Sequence, residues 1–502
     1  MTNPLPQTLA QLQRAMQLAG SFAQWQELAE EHDRLSGAAQ WREDEQTDLL
    51  HVAQIRQSIT SLRKLRRDGE PWQLSQKLQE VLFRHQGEFV HSELYHHALC
   101  GTKRVVSDFL DEVERCLRYL VDVPVTGVDD HYKLEQIKRI GRVYGRPALM
   151  LSGGAAMGIF HLGVVKALFE ENLLPRSISG SSMGSIIAAW ACTHNDDELR
   201  HFFANPQLLP RNALRLLRPS QMVAQGALLD QPHLLRFIRT LLPDMTFAES
   251  LRHSRRILNI SVSPYKTVQS PRLLNYLSAP QTLIHHTALA SSAVPGAFKP
   301  VQLMTRQRGK VSAWMKGELW VDGSVSNDLP FTQLAQLLNI NHFITSQANP
   351  HVVPFQSLSG ENRSSLSSLA RMSGGIAFDS WSRVLDVARR KQPLSMMRTL
   401  MNTAHGLVSQ RYASTDMHIQ MPFRLSMYPK VLTNPSLEEL HEFIRLGQQA
   451  TWPQIPMIRD RTRISRVFGD CIGLLNRRIE AAGQTGQGRR RPGDLSIIRT
   501  PD

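Results

Sequence analysis

The sequence predicts an α/β protein: a mostly parallel sheet of short apolar strands, flanked by helical regions at both ends of the chain. Three observations predict it. From about residue 147 to 350, short apolar runs alternate with helix-length segments. Two of those runs end in glycine-rich turns, SGGAAMG at 152–158 and GSSMG at 180–184. Outside this region the apolar residues recur at helical spacing.

In chain order, LLHVAQIRQSITSLRKLRR puts Val52, Ile55, Ile59 and Leu62 on one helical face and Arg56, Arg63 and Arg67 on another. The apolar face forms core; the arginine face is suited either to solvent or to phospholipid head groups. FLDEVERCLRYL repeats the pattern with Phe109, Val113, Leu117 and Leu120. Pro124 and Gly127 then break the helical run. PALMLSGG reads as a strand running into glycines, and IFHLGVVKALFEENL as a helix burying Leu162, Val165, Leu168 and Phe169. PRSISGSS approaches as a strand and MGSIIAAWAC leaves as an apolar helix. RILNISVSPY, GELWVDGS and HFITSQANP supply further strands. Beyond 350 comes a Ser-rich loop, SLSGENRSSLSSLA, and later a helix in NPSLEELHEFIRLGQQA with Asn434 and Ser436 as candidate caps. There are no internal repeats.

The 502 residues carry a formal net charge of +14. Ten arginines against five acids between Arg459 and Asp502 concentrate part of that excess, and GRRRPGD lies in a Gly/Gln/Pro-rich tail expected to be disordered. A basic balance suits an anionic membrane face or nucleic acid. No aromatic-studded basic strand or zinc-finger spacing supports the second, so no nucleic-acid partner is expected. The N-terminus lacks a secretory pattern, and no run of about 18 apolar residues predicts a transmembrane helix. Cys100, Cys116, Cys192 and Cys471 have neither disulfide-framework nor zinc spacing and fit a reducing compartment. The expectation is a cytoplasmic protein associated peripherally with a membrane.

The chemistry centres on two turns. Gly180-Ser181-Ser182-Met183-Gly184 is a G-x-S-x-G pentapeptide between a strand and a helix. Small flanking residues permit the sharp bend that presents Ser182 at a helix N-terminus, where the field favours negative charge. The same pentapeptide also serves as a packing turn. The loop Gly153-Gly154-Ala155-Ala156, closed by Gly158, aims backbone amides at one anion. It is either a dinucleotide phosphate loop or an oxyanion hole. Ala155 stands where a dinucleotide fingerprint needs its middle glycine, which favours the oxyanion hole.

A serine nucleophile needs a base. His405, His418 and His441 lie late enough for a histidine triad, but none follows a recognisable strand end. His161 sits inside a helix and reads as core. HSELYHH and the His285-His286 pair lack zinc-site spacing. The alternative is a carboxylate acting directly. LWVDGSVSNDLP puts Asp322 at the end of an apolar strand, before Gly323. In a parallel sheet that end shares a rim with both glycine turns. Taken by itself, Asp322-Gly323 is equally an ordinary turn.

SGGAAMG, GSSMG and DGS, in this order over residues 152–324, resemble the oxyanion loop, nucleophile elbow and Asp-Gly motif of the patatin-like phospholipase family. ASSAVPGAFKPV at 290–301 is similar to a further block of that family. The resemblance implies a three-layer α/β/α sandwich and a Ser-Asp dyad, with Ser182 as nucleophile and Asp322 as base. It implies oxyanion donors among Gly153, Gly154, Ala155 and Ala156, and no metal or cofactor. Met157 stands where many members carry Arg or Lys. WREDEQTDLLHVAQIRQ, HSELYHHALCGTK, PRLLNYLSAP and SQANPHVVPF further resemble the branch of fungal and plant storage-lipid triacylglycerol lipases. The implied substrates are long-chain acylglycerols or phospholipids, met at a membrane or lipid-droplet-like surface. A lysolipid transacylase using the same dyad and a non-catalytic lipid-surface protein are the alternatives. The implied organisation is a helical N-terminal domain over 1–145, a catalytic domain over 146–350, a helical extension over 351–485 and a basic tail over 486–502. Oligomeric state, head group and chain length are not legible.

Overall fold

The computed structural model describes residues 8–85, 92–265, 270–323, 329–349, 417–422, 430–431 and 433–484. The Ser-rich loop, His405 and the arginine tail lie outside them. The chain divides into two compact units: residues up to 38 together with 146–459, and residues 39–145 together with those from 460 onward. The helices Leu9–Leu18 and Phe22–Ser36 therefore belong with the sheet-containing unit, not with the other N-terminal helices. Among the described residues, no helix is long and apolar enough to cross a membrane.

The first unit is built on a sheet. Its strands are β1 (Arg146–Leu151), β2 (Ser177–Gly180), β3 (Ile257–Pro264), β4 (Arg272–Leu274), β7 (Trp320–Asp322), β8 (Ile340–Gln347) and β9 (Met417–Gln420); β5 (Met304–Gln307) and β6 (Lys310–Ala313) form a separate hairpin. The order is β4-β3-β2-β1-β8-β9, with β7 also paired to β3. Strands β3, β2, β1, β8 and β9 run parallel; β4 and β7 are antiparallel to β3. Ala148 to Leu151 are all buried, the unbroken apolar run of a parallel strand covered on both faces. The helices Phe160–Glu170 and Met183–Thr193 are apolar nearly all round and correspondingly buried. Helix Leu437–Thr451 crosses the first of these with its backbone in contact: a Cβ on Gly163 would lie 1.9 Å from the Ile444 carbonyl oxygen. Ser436, not Asn434, caps it, through a reciprocal bond pair with Glu439. Asn434 instead bridges to Asn212 and Leu214. The region past 350, expected to be helical, also contributes the sheet strand β9.

Two differences bear on the site. First, β7 is antiparallel, so Asp322 does not reach the rim as the end of a parallel strand. Ile260 of β3 pairs with both Gly180 of β2 and Leu274 of β4, and Val262 pairs with both Arg272 of β4 and Asp322 of β7. Strand β7 therefore occupies the edge of β3 that β2 vacates after Gly180, and the carboxyl ends of β2 and β7 meet head to head. Ile260 and Val262 are two residues apart, about 7 Å along the strand. Second, part of the arginine face of the N-terminal helices is engaged by acids of another helix, while Arg67 is exposed. In the second unit, with its core of Ile55, Ile59, Leu62, Phe109, Val113 and Leu117, Arg56 pairs with Asp108 at 2.6 Å. Arg63 and Arg66 both pair with the buried carboxylate of Glu112, at 3.4 and 2.9 Å. Burying that carboxylate requires such partners.

Candidate active site

Ser182 ends the strand-to-helix turn at φ 50°, ψ −127°. A non-glycine residue there is strained by roughly 1–3 kcal/mol and persists only where its surroundings hold it. The flanking glycines are required by close approach. A Cβ on Gly180 would lie 2.2 Å from the Gly184 carbonyl oxygen, and one on Gly184 would lie 2.3 Å from that of Leu151. The turn thus folds onto itself and onto the end of β1.

The segment 291–293 fixes both candidate catalytic residues. The Ser182 N–H donates to the Ser291 carbonyl at 3.0 Å, and the Ser292 hydroxyl donates to the Ser182 carbonyl at 3.3 Å. Ser291 Oγ, in turn, donates to the Ser261 carbonyl at 2.8 Å. The Asp322 N–H donates to the Ala293 carbonyl at 3.1 Å. One stretch of three residues therefore holds the main chain of Ser182 and of Asp322. Asp322 is fully buried, and Ser182 is half-buried. Gly323 is seated where a Cβ would lie 2.4 Å from the Ser261 carbonyl oxygen. The similarity of ASSAVPGAFKPV to a family block identified the segment; its hydrogen-bonding role was not readable from residue types.

Among the described residues, no histidine hydrogen-bonds to Ser182. His418 lies in β9, its Nδ1 2.8 Å from Thr345 Oγ1. His285 and His286 pack against each other in the helix Ile284–Ser291. His441 is exposed.

The glycine loop after β1 enters a short 3₁₀ turn, Ala155–Ile159, with Ala155 at φ 47°. Its four candidate donors are not equivalent. The Ala156 N–H is already committed to the Val431 carbonyl at 3.1 Å. Ala156 is therefore corrected from oxyanion donor to a fastening point of the loop. The N–H groups of Gly154 and Ala155 have no acceptor among the described residues. Gly158 lies against Met183, where a Cβ would come within 2.6 Å of Cγ. The glycine loop and the G-x-S-x-G turn are thus in direct contact. Met157 is buried, so the side chain at this position faces the interior.

His161 secures the base of the loop. Its Nε2 donates to the Ser152 carbonyl at 3.0 Å, which fixes the tautomer, and Nδ1 accepts from Ser346 Oγ at 2.7 Å. Burial pushes its pKa down to about 4. The sign follows: above pH 6.5 the ring is neutral in folded and unfolded chains alike. Between 6.5 and 4 only the unfolded chain takes up the proton, so stability falls as pH falls. His161 is expected to remove about 3 kcal/mol across that window. Thermal unfolding against pH checks it: His161→Gln should show a shallower fall than wild type, and equal slopes would exclude the assignment.

Ser182, Ala155 and Ala156 line a cavity of about 550 Å³. The rest of its wall is overwhelmingly apolar, including Ile186, Ile187, Trp190, Leu234, Phe237 and Phe298. Apolar pockets of this size with few polar groups are typical small-ligand sites.

Residues 149–335 match the family model described as patatin-like phospholipase, and residues 6–142 match one described as a domain of unknown function, DUF3336. A triacylglycerol lipase of Schizosaccharomyces pombe is 32% identical over 481 residues, 93% of this chain and 98% of that protein. Triacylglycerol lipase 5 of Saccharomyces cerevisiae is 30% identical, over 91% of this chain and 64% of that protein. A triacylglycerol lipase of Arabidopsis thaliana is 30% identical, over 93% of this chain and 59% of that protein. The chain thus spans nearly the whole of the first relative and about three-fifths of the other two.

Proposed function

The chain belongs to the patatin-like phospholipase family, and from that premise we propose that it is a serine acyl hydrolase of long-chain acylglycerols, acting through Ser182 and Asp322. The observation that carries this reading is the shared anchoring of both residues by Ser291 and Ala293, beside an apolar cavity that the serine lines. The acyl chain lies in the cavity, where each buried methylene contributes about 0.8 kcal/mol. Ser182 Oγ attacks the ester carbonyl carbon as its proton passes to Asp322. The carbonyl oxygen becomes an oxyanion and accepts from the Gly154 and Ala155 amides, with Gly153 shaping the loop. Collapse breaks the ester C–O bond, and the leaving alkoxide takes the proton from Asp322. Water then attacks the acyl-enzyme, giving its proton to Asp322, and the fatty acid leaves as the serine is reprotonated.

The relatives' names favour triacylglycerol over phospholipid. The enzyme works as a peripheral protein at a membrane or lipid-droplet-like surface, consistent with its net charge of +14. Its four cysteines are all free thiols, which suits the cytoplasm. The test is fatty-acid release from triacylglycerol, diacylglycerol, phospholipid and lysophospholipid, with the Ser182→Ala protein as blank. Triacylglycerol should be cleaved fastest; release no greater than the blank from all four would sink the reading.

A further inference from the structure

We infer that residues 206–225, at the mouth of the cavity, form the surface that docks the enzyme on anionic phospholipid; this rests on the reading of the cavity as an acyl site. From Leu199 to Leu229 the sequence contains no Asp or Glu, and it carries Arg200, Arg211, Arg215 and Arg218. Arg200 and Arg215 are paired, with Asp197 and Asp230. Arg211 and Arg218 are exposed, with no carboxylate partner among the described residues. The same stretch displays large apolar side chains to solvent: Leu208 at 54% exposure, Leu216 at 72% and Val223 at 86%.

Arg211 and Leu216 both line the cavity and are exposed, so they stand on its rim. The rim therefore combines a free cation with an uncovered hydrocarbon side chain, beside the entrance an acyl chain would use. The stretch is firmly held. Leu216 bridges to Leu229, the Leu217 N–H donates to the Leu228 carbonyl at 3.0 Å, and Asn434 clasps the backbone of Leu214. Apolar side chains interleaved with unpaired arginines match an interface of acyl chains beneath anionic head groups. Because the docking surface and the cavity rim share residues, a docked enzyme would take its substrate directly from the lipid phase.

The test is co-flotation of the Ser182→Ala protein, which leaves the lipid intact, with phosphatidylcholine vesicles with and without phosphatidylserine. The expected result is binding that requires phosphatidylserine and weakens with salt. Adding Arg218→Glu and Val223→Ser together should lower it by on the order of tenfold, with an unchanged thermal unfolding curve. Should that pair disturb folding, Leu208→Ser alone is expected to weaken binding severalfold. Equal binding to neutral vesicles, or undiminished binding by the folded variants, would overturn the inference. So would a lipid-free dimer that the same substitutions dissociate, which would assign the patch to a second copy of the chain. Hydrolysis of a soluble short-chain ester by the wild-type protein reports on the proposed activity separately, so the two failures are distinguishable.

Discussion

Ser182→Ala is expected to lower ester hydrolysis by at least about 10⁴-fold while leaving the protein folded. The nucleophile is the atom that forms the covalent bond, so its loss leaves only binding and oxyanion stabilisation. Its fold should survive because the turn is held by main-chain bonds to Ser291 and by Ser292, not by the Ser182 hydroxyl. Comparison with Ser182→Gly separates function from architecture. At φ 50° a glycine carries no steric penalty, so Ser182→Gly should be equally inactive yet more stable than Ser182→Ala by roughly 1 kcal/mol. A merely structural turn would be better served by glycine here, so a stability gain without activity in Ser182→Gly is the expected signature of a hydroxyl kept for chemistry. Fatty-acid release and thermal unfolding of the two variants check this. Substantial activity in folded Ser182→Ala would remove Ser182 from the chemistry.

The nucleophile turn was legible because its physics is local. Small residues at 180 and 184 are demanded by backbone contacts within a few residues and with the preceding strand, and a G-x-S-x-G pattern expresses that demand directly. The parallel core was legible for a similar reason: unbroken apolar runs such as 148–151 need cover on both faces. Strand β7 was not. Three residues, Trp-Val-Asp, suit either direction, and only the edge of β3 left open beyond Gly180 decides. Strand β9 is four residues of Met-His-Ile-Gln with no flanking signal strong enough to mark it in a region otherwise read as helical. The fate of the Ala156 amide depends on the Val431 carbonyl, far away in sequence. The pairing of Arg56 and Arg63 was not legible because their acidic partners, Asp108 and Glu112, belong to another helix. The segment 206–225 went unnoticed for the opposite reason. Its leucines and arginines have no period to draw attention, and their meaning comes from exposure at the cavity rim.

Asp322→Asn is expected to lower hydrolysis by about 10³–10⁴-fold with little change in shape. The substitution keeps the side chain's size in a fully buried position, and the Asp322 N–H bond to Ala293 involves only backbone. What is lost is the ability to accept the Ser182 proton. Both acylation and deacylation need that acceptor, so the defect should appear in each step. Labelling of Ser182 by a fluorophosphonate should therefore slow by a factor similar to that for turnover, since phosphonylation also requires the serine proton to leave. Two results would break the dyad. A folded Asp322→Asn protein with wild-type turnover would show that the carboxylate is architectural. Normal labelling with slow turnover would confine Asp322 to the deacylation water and require another acceptor for the serine. Among the described residues the Ser182 hydroxyl is hydrogen-bonded neither to a histidine nor to Asp322, so the dyad rests on the backbone placement, the antiparallel strand that carries Asp322 to the end of β2, and the Asp322→Asn measurements decide it.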